Sequence, residues 1–199
     1  MRRAVVMAAG EGKRLRPLTE RWPKPVLPID GRPVIGTLLR ELVAAGVEHA
    51  VVVTGHLAEQ VEELVGNGAG FGLQVEFARQ PGVLGSADTV RRGLDAGLEP
   101  PFLVAGADTV FLPGAVARFA EAAAGADGAV TDPPVPLWLL GPAVVPFLCL
   151  DNEPYELGNA FVRAREVGLE IRTLSVGKTR DLTRPQDLVE ENFSYLGSP

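Results

Sequence analysis

Short apolar runs and helical stripes alternate along this chain. Arg3 to Ala9 (RAVVMAA) is a continuous apolar run that ends at glycine, the pattern of a strand buried on both faces of a parallel sheet. Val34 to Ala45 (VIGTLLRELVAA) places its apolar residues at helical spacing and stops at Gly46, a suitable C-terminal cap. The pair then repeats. Strands are predicted over His49 to Thr54, Leu73 to Phe77, Phe102 to Ala105 and Gly128 to Thr131, with helices over Leu57 to Val65, Ser86 to Ala96 and Gly114 to Ala124. Strands alternating with helices of about ten residues imply right-handed crossovers and a sheet covered on both faces. The expected class is α/β: a doubly wound, mostly parallel sheet in a single compact domain over residues 1–199.

From Asp132 to Asp151 the rhythm breaks. TDPPVP is a proline-rich loop and the one candidate linker, and LWLLG is a candidate strand; a helix over Glu156 to Val167, a strand over Glu170 to Val176 and a closing helix over Pro185 to Phe193 follow. Composition narrows the class further. With 46% hydrophobic and 22% charged residues among 199, the chain is globular, not disordered, collagen-like or coiled. The longest apolar stretch, Pro136 to Leu150, is cut by Gly141, Pro142 and Pro146 and is too short for a bilayer, and the N-terminal residues lack a signal-peptide core, so a cytoplasmic protein without a membrane partner is expected. A single cysteine, Cys149, excludes an internal disulfide, and its apolar surroundings predict a buried, inert thiol.

The net charge, 19 − 25 = −6, argues against a nucleic-acid partner, but its distribution is uneven. Through Arg40 there are nine Lys or Arg against three Asp or Glu. Only three lysines stand against sixteen arginines, so each lysine merits a question. Two of them lie near the loop after the first strand, the place where open α/β sheets bind ligands. That loop reads Gly10-Glu11-Gly12-Lys13-Arg14-Leu15-Arg16. Two glycines one residue apart expose backbone N–H groups to an anion, and the cations after them supply charge for a polyphosphate. Leu15 rules out a Rossmann fingerprint, and Arg14 after Gly12-Lys13 rules out a Walker A loop.

The run MAAGEGKRLRPLTERWPKPVLPIDGRPVI resembles the signature of nucleotidyltransferases that join a sugar 1-phosphate to a nucleoside monophosphate. That resemblance implies a Rossmann-like nucleotidyltransferase fold in which Ala8, Ala9, Gly10, Gly12 and Lys13 hold the NTP. It also implies that Arg14 pairs with the phosphates and Lys24 sits between the NTP and the incoming phosphate. Pro23 and Pro25 flank Lys24 and lower the entropy lost in positioning its ammonium. Three later stretches extend the match. Gln80-Pro81-Gly82-Val83-Leu84-Gly85-Ser86-Ala87 is similar to the family's base-reading loop, which implies nucleotide-binding roles for Gln80, Gly85 and Ser86. Leu103 to Asp108 is similar to the strand whose aspartate holds Mg²⁺, and Asp181-Leu182-Thr183-Arg184-Pro185 to the segment carrying the second metal ligand. On their own residues these stretches also read as a loop with an N-cap serine, a turn aspartate and a helix cap at Thr183.

The implied division is an NTP-binding half, 1–110, and a shortened acceptor and metal half, 111–199. Where the family carries some forty residues with a Glu-Lys-Pro motif for the sugar phosphate, this chain has only Thr131 to Pro136. The acceptor wall must then come from the Asp132 to Pro136 loop, Trp138 and the stretch from Glu156 to Asn159. Trp138 reads as core or as a stacking face. His49 and His56 are expected to be structural or solvated. The expected function is a metal-dependent nucleotidyltransferase using an NTP and a sugar 1-phosphate or similar small phosphorylated acceptor. A catalytically silent nucleotide sensor and a guanylyl- or cytidylyltransferase for a non-sugar acceptor are the alternatives. Base identity is not legible, and a homo-oligomer is left open.

Overall fold

The computed structural model describes residues 2–82, 84–149 and 155–193. Val83, within the expected base-reading loop, and the stretch 150–154 before the expected Glu156 helix lie outside the described residues. The chain opens with β1 (Arg3–Ala8), then β2 (Pro28–Ile29), β3 (Arg32–Pro33), α1 (Val34–Ala44), β4 (His49–Thr54), α2 (Ala58–Val65), β5 (Gln74–Arg79) and α3 (Ser86–Asp95). It continues through β6 (Phe102–Gly106), β7 (Thr109–Phe111), α4 (Ala115–Ala122), β8 (Gly128–Thr131), β9 (Leu137–Leu140), α5 (Leu157–Glu166), β10 (Ile171–Leu174), β11 (Thr179–Asp181) and α6 (Pro185–Asn192).

Seven strands form one sheet in the order β10-β8-β9-β6-β1-β4-β5. All run the same way except β9, which is antiparallel to both β6 and β8. The candidate strand LWLLG is therefore real but reversed. Its direction follows from the short loop before it: Thr131 Oγ1 donates to Val135 O at 2.9 Å and accepts from Val135 N at 2.8 Å, closing a tight turn that cannot hold the crossover a parallel strand needs. The proline-rich segment thus connects neighbouring strands of one sheet and is no domain linker.

Alternation along the central strands sorts the core into two layers. Ala4, Val6, Val52 and Leu103 face α1, α2 and α4 through Leu38, Leu39, Val61 and Phe119. Val5, Val51, Val53 and Val104 face α3 and α5 through Val90, Leu157 and Phe161. A third cluster, Leu15, Leu27, Ile29, Val34 and Leu182, ties the glycine loop to the end of the chain. Asn192 strengthens that tie: its Nδ2 donates to Pro28 O at 2.8 Å and its Oδ1 accepts from Gly31 N at 2.9 Å. Two departures from the sequence reading matter. Strand β5 is displaced to Gln74–Arg79, and Cys149 follows a 3₁₀ segment, Pro142–Phe147, and is only half-buried. Pro146, within VVPFLCL, stands inside that 3₁₀ segment, and the described residues of the run form neither an α-helix nor a strand.

Candidate active site

Strand β1 hydrogen-bonds to β4 on one side and β6 on the other, so the chain winds away from it in both directions. The carboxyl ends of β1 and β6 flank this switch point, and a cleft of about 560 Å³ opens there. Eleven of the twelve residues expected at the site line it: Ala8, Ala9, Gly10, Gly12, Lys13, Arg14, Lys24, Gln80, Gly85, Ser86 and Asp108. Asp181 joins them through Lys24.

The two loop glycines do different things. Gly12 has φ +60°, and a Cβ there would lie 2.9 Å from Thr19 Cγ2, while Thr19 Oγ1 donates to Gly12 O at 2.9 Å. Gly12 is therefore demanded by the loop's own packing. A Cβ on Gly10 would meet nothing within 4 Å, so that glycine leaves the cleft floor bare without being required by the fold. The loop is braced from behind by His56, whose Nε2 donates to Thr19 O at 2.6 Å. Lys13 and Arg16 both approach Glu11, at 3.4 and 3.6 Å. Arg14 is exposed and has no hydrogen-bond or ion-pair partner among the described residues.

Lys24 is 9% exposed and begins a 3₁₀ turn between two prolines. Its ammonium lies 3.0 Å from Asp108 Oδ2 and 2.6 Å from Asp181 Oδ1. Asp108 follows β6, and Asp181 ends β11, which pairs antiparallel with β7 so that Asp181 stands opposite Thr109. This small ribbon brings together two carboxylates 73 positions apart. Burial pushes the Asp181 carboxyl up, with Asp108's charge adding to it and Lys24 opposing both. Among the described residues no cluster of three or more His, Cys, Asp or Glu side chains gathers to hold a metal. Two partly exposed carboxylates nevertheless suit Mg²⁺, which keeps several waters and takes further oxygens from a phosphate substrate.

Opposite lies the loop before α3. Gly85 has φ +104°, and a Cβ on it would fall 2.5 Å from Tyr155 O. The close approach exists because Tyr155 pairs with the loop as a strap: its N–H donates to Leu84 O at 2.8 Å and its carbonyl accepts from Ala87 N at 2.7 Å. Ser86 Oγ donates to Glu156 Oε2 at 3.0 Å and accepts from Leu157 N at 2.8 Å. Of the stretches expected to form the acceptor wall, Pro136, Trp138 and Glu156 line the cleft beside them, while Asp132 to Val135 and Leu157 to Asn159 do not. Trp138 is half-buried and does both things its sequence allowed, packing on the second core layer and facing the cleft. Leu182 and Thr183 also line the cleft, and the Tyr155 strap and the Asp88 contacts of Gln80 are additions that no motif announced.

A nucleotidyl transferase family model matches residues 3–135. The chain belongs to that family. Among its relatives is the N-acetylmuramate alpha-1-phosphate uridylyltransferase of Neisseria meningitidis, 36% identical over 109 residues that make up 54% of this chain and 47% of that one. The CMP-5'-(3-aminopropyl)phosphonate synthase of Streptomyces rubellomurinus is 39% identical over 140 residues, 68% of this chain and 22% of the relative. A mannose-1-phosphate guanylyltransferase of Mycobacterium tuberculosis is 42% identical over 83 residues, 42% of this chain and 23% of the relative. The chain thus aligns with half or less of each. A UDP-glucose pyrophosphorylase structure from Acinetobacter baumanii superposes with TM-score 0.78 over 98% of this chain and 93% of that one, at 16% identity, a likeness of fold. No helix among the described residues is long and apolar enough to cross a membrane.

Proposed function

We propose that this nucleotidyl transferase joins the nucleoside monophosphate of an NTP to a sugar 1-phosphate, or a comparably small phosphorylated acceptor, and releases pyrophosphate. The observation that carries the reading is Lys24, buried, cationic and held between Asp108 and Asp181 at the cleft. The acceptor is a phosphate monoester, whose second pKa of about 6 leaves it mostly dianionic at neutral pH, so no general base is needed. The barrier is repulsion between anions, and positioning with charge neutralisation answers it. Lys24 meets the α-phosphate and the incoming phosphate, uncommitted Arg14 takes the outer phosphates, and the bare backbone at Gly10 receives the rest of the triphosphate. Gln80 and the Gly85 backbone read the base, with Ser86 fixing that loop to the acceptor side. Asp108 and Asp181 would hold Mg²⁺, which supplies neutralisation at the α-phosphate and at departing pyrophosphate.

The decisive experiment is pyrophosphate release across a panel of NTPs with sugar 1-phosphates and small phosphonates, the latter included because one relative is named for a phosphonate product. Asp108→Asn and Asp181→Asn should each lower turnover by about 10²–10³-fold with the fold intact, and the double variant should be scarcely worse than the worse single one. NTP binding with no release from any acceptor would instead assign a nucleotide sensor.

A further inference from the structure

Gln80 and Asp88 are nearly sealed from solvent, at 5% and 7% exposure. The Gln80 amide nitrogen donates to Asp88 Oδ2 at 2.7 Å and to Gly85 O at 3.3 Å. Asp88 is gripped by Arg92, one helical turn further on, with Nε donating to Oδ2 at 2.7 Å and Nη2 to Oδ1 at 3.4 Å. Arg92 is itself fixed, since Nη1 donates to Arg79 O at 2.6 Å.

The chemistry of these neighbours dictates which end of the amide lies where. A carboxylate facing a guanidinium and a backbone carbonyl both accept hydrogen bonds, so the side of Gln80 toward Asp88 and Gly85 must carry the NH₂ group. A flipped amide would set its oxygen against two acceptors in a buried position and strand both. Gln80 Oε1 is thereby turned away from them. It makes no hydrogen bond among the described residues, and Gln80 lines the cleft.

We infer that the Asp88–Arg92 pair is a positioning device that offers Gln80 to the nucleotide as a hydrogen-bond acceptor only, so that the cleft takes a base with an N–H at the ring position it meets. Uracil and thymine at N3 and guanine at N1 carry that hydrogen; cytosine N3 and adenine N1 present a lone pair instead and meet Oε1 acceptor to acceptor. The relatives named above transfer different bases, so similarity leaves the choice open, and this amide makes it. The inference rests on the proposed placement of the base beside Gln80.

Calorimetric titration of UTP, dTTP, GTP, CTP and ATP into the protein with Mg²⁺ tests it without an acceptor. CTP and ATP are expected to bind at least tenfold more weakly than the best of the other three. In Asp88→Asn the new side chain can donate as well as accept, the stronger of the two restraints on the Gln80 amide is relaxed with only Gly85 O left to hold it, and the gap should narrow several-fold. Loss of a merely structural contact would weaken all five nucleotides alike. Should Asp88→Asn not fold, Arg92→Gln loosens the same pair from its more exposed side and should narrow the gap likewise. CTP or ATP as the tightest ligand, or five equal affinities, would overturn the inference while leaving the nucleotide site standing. Selectivity unchanged in both variants would remove Asp88 from the role. No binding by any NTP would overturn the inference and the proposed function together.

Discussion

Gly10 and Gly12 look equivalent in a sequence and are not equivalent in the folded loop. Because Gly12 occupies the left-handed region with no room for a Cβ against Thr19, Gly12→Ala is expected to lose about 1–2 kcal/mol of stability, measured by chemical denaturation. Gly10→Val should behave oppositely, keeping stability within about 0.5 kcal/mol as an exposed substitution does while placing a branched side chain on the cleft floor. Its NTP affinity should fall at least tenfold by calorimetry; unchanged affinity would remove this floor from the phosphate site. Lys24 and Arg14 stood out through the family-like signature around the glycine loop, Lys24 also by its scarcity and flanking prolines. Asp88 was not, because an Asp followed four residues later by Arg on a helix looks like an ordinary surface pair. Only the fold shows that its carboxylate is turned inward onto Gln80.

At the scale of elements, the helices were readable from apolar residues at helical spacing, and most strands of the main sheet from short apolar runs of four or more residues. Strands β2, β3, β7 and β11 span two or three residues, too few for any periodicity, and so the β7–β11 ribbon that sets Asp181 beside Lys24 left no trace. The reversal of β9 was equally silent, since apolar residues do not encode strand direction. What holds the ribbon's end in place is the start of α6, where Asp187 Oδ2 accepts from Thr183 N at 2.7 Å and Arg184 N at 2.8 Å. Those backbone donors, Arg184's first and Thr183's next, hold the Asp187 carboxyl below its usual range. A depressed folded value contributes stability above the unfolded pKa, near 3.9, and loses it as pH falls through the folded value. Asp187→Ala should therefore cost about 1 kcal/mol at pH 7. The difference from the parent should shrink steadily below about pH 4, as urea unfolding at pH 7 and pH 3 would measure. A constant difference would mean the carboxylate's charge contributes nothing to the cap.

For the molecule as a whole, the short connection between β8 and β9 bears on what the proposed site can recognise. Between β8 and β9 the chain spends only a closed turn, so the wall of the cleft on that side is Pro136 and the half-buried Trp138, with Glu156, Leu182 and Thr183 completing it. Few polar side chains line that wall. Glu156 already accepts from Ser86 Oγ, and Thr183 Oγ1 is turned toward Asp181 at 3.5 Å. A site discriminates strongly between hydroxyl patterns only when buried groups would be left unpaired by the wrong one, whereas an apolar wall such as an indole face tolerates either. Acceptor binding should therefore depend on the phosphate at Lys24 and on contact with Trp138, with loose selection among sugars. Steady-state kcat/KM for several sugar 1-phosphates with one NTP is expected to spread by well under a thousandfold. Trp138→Ala should raise KM for all of them together. A preference beyond about a thousandfold, roughly 4 kcal/mol, would require directed hydrogen bonds to the sugar, for which the second carboxylate oxygen of Glu156 and the hydroxyl of Thr183 are the candidates.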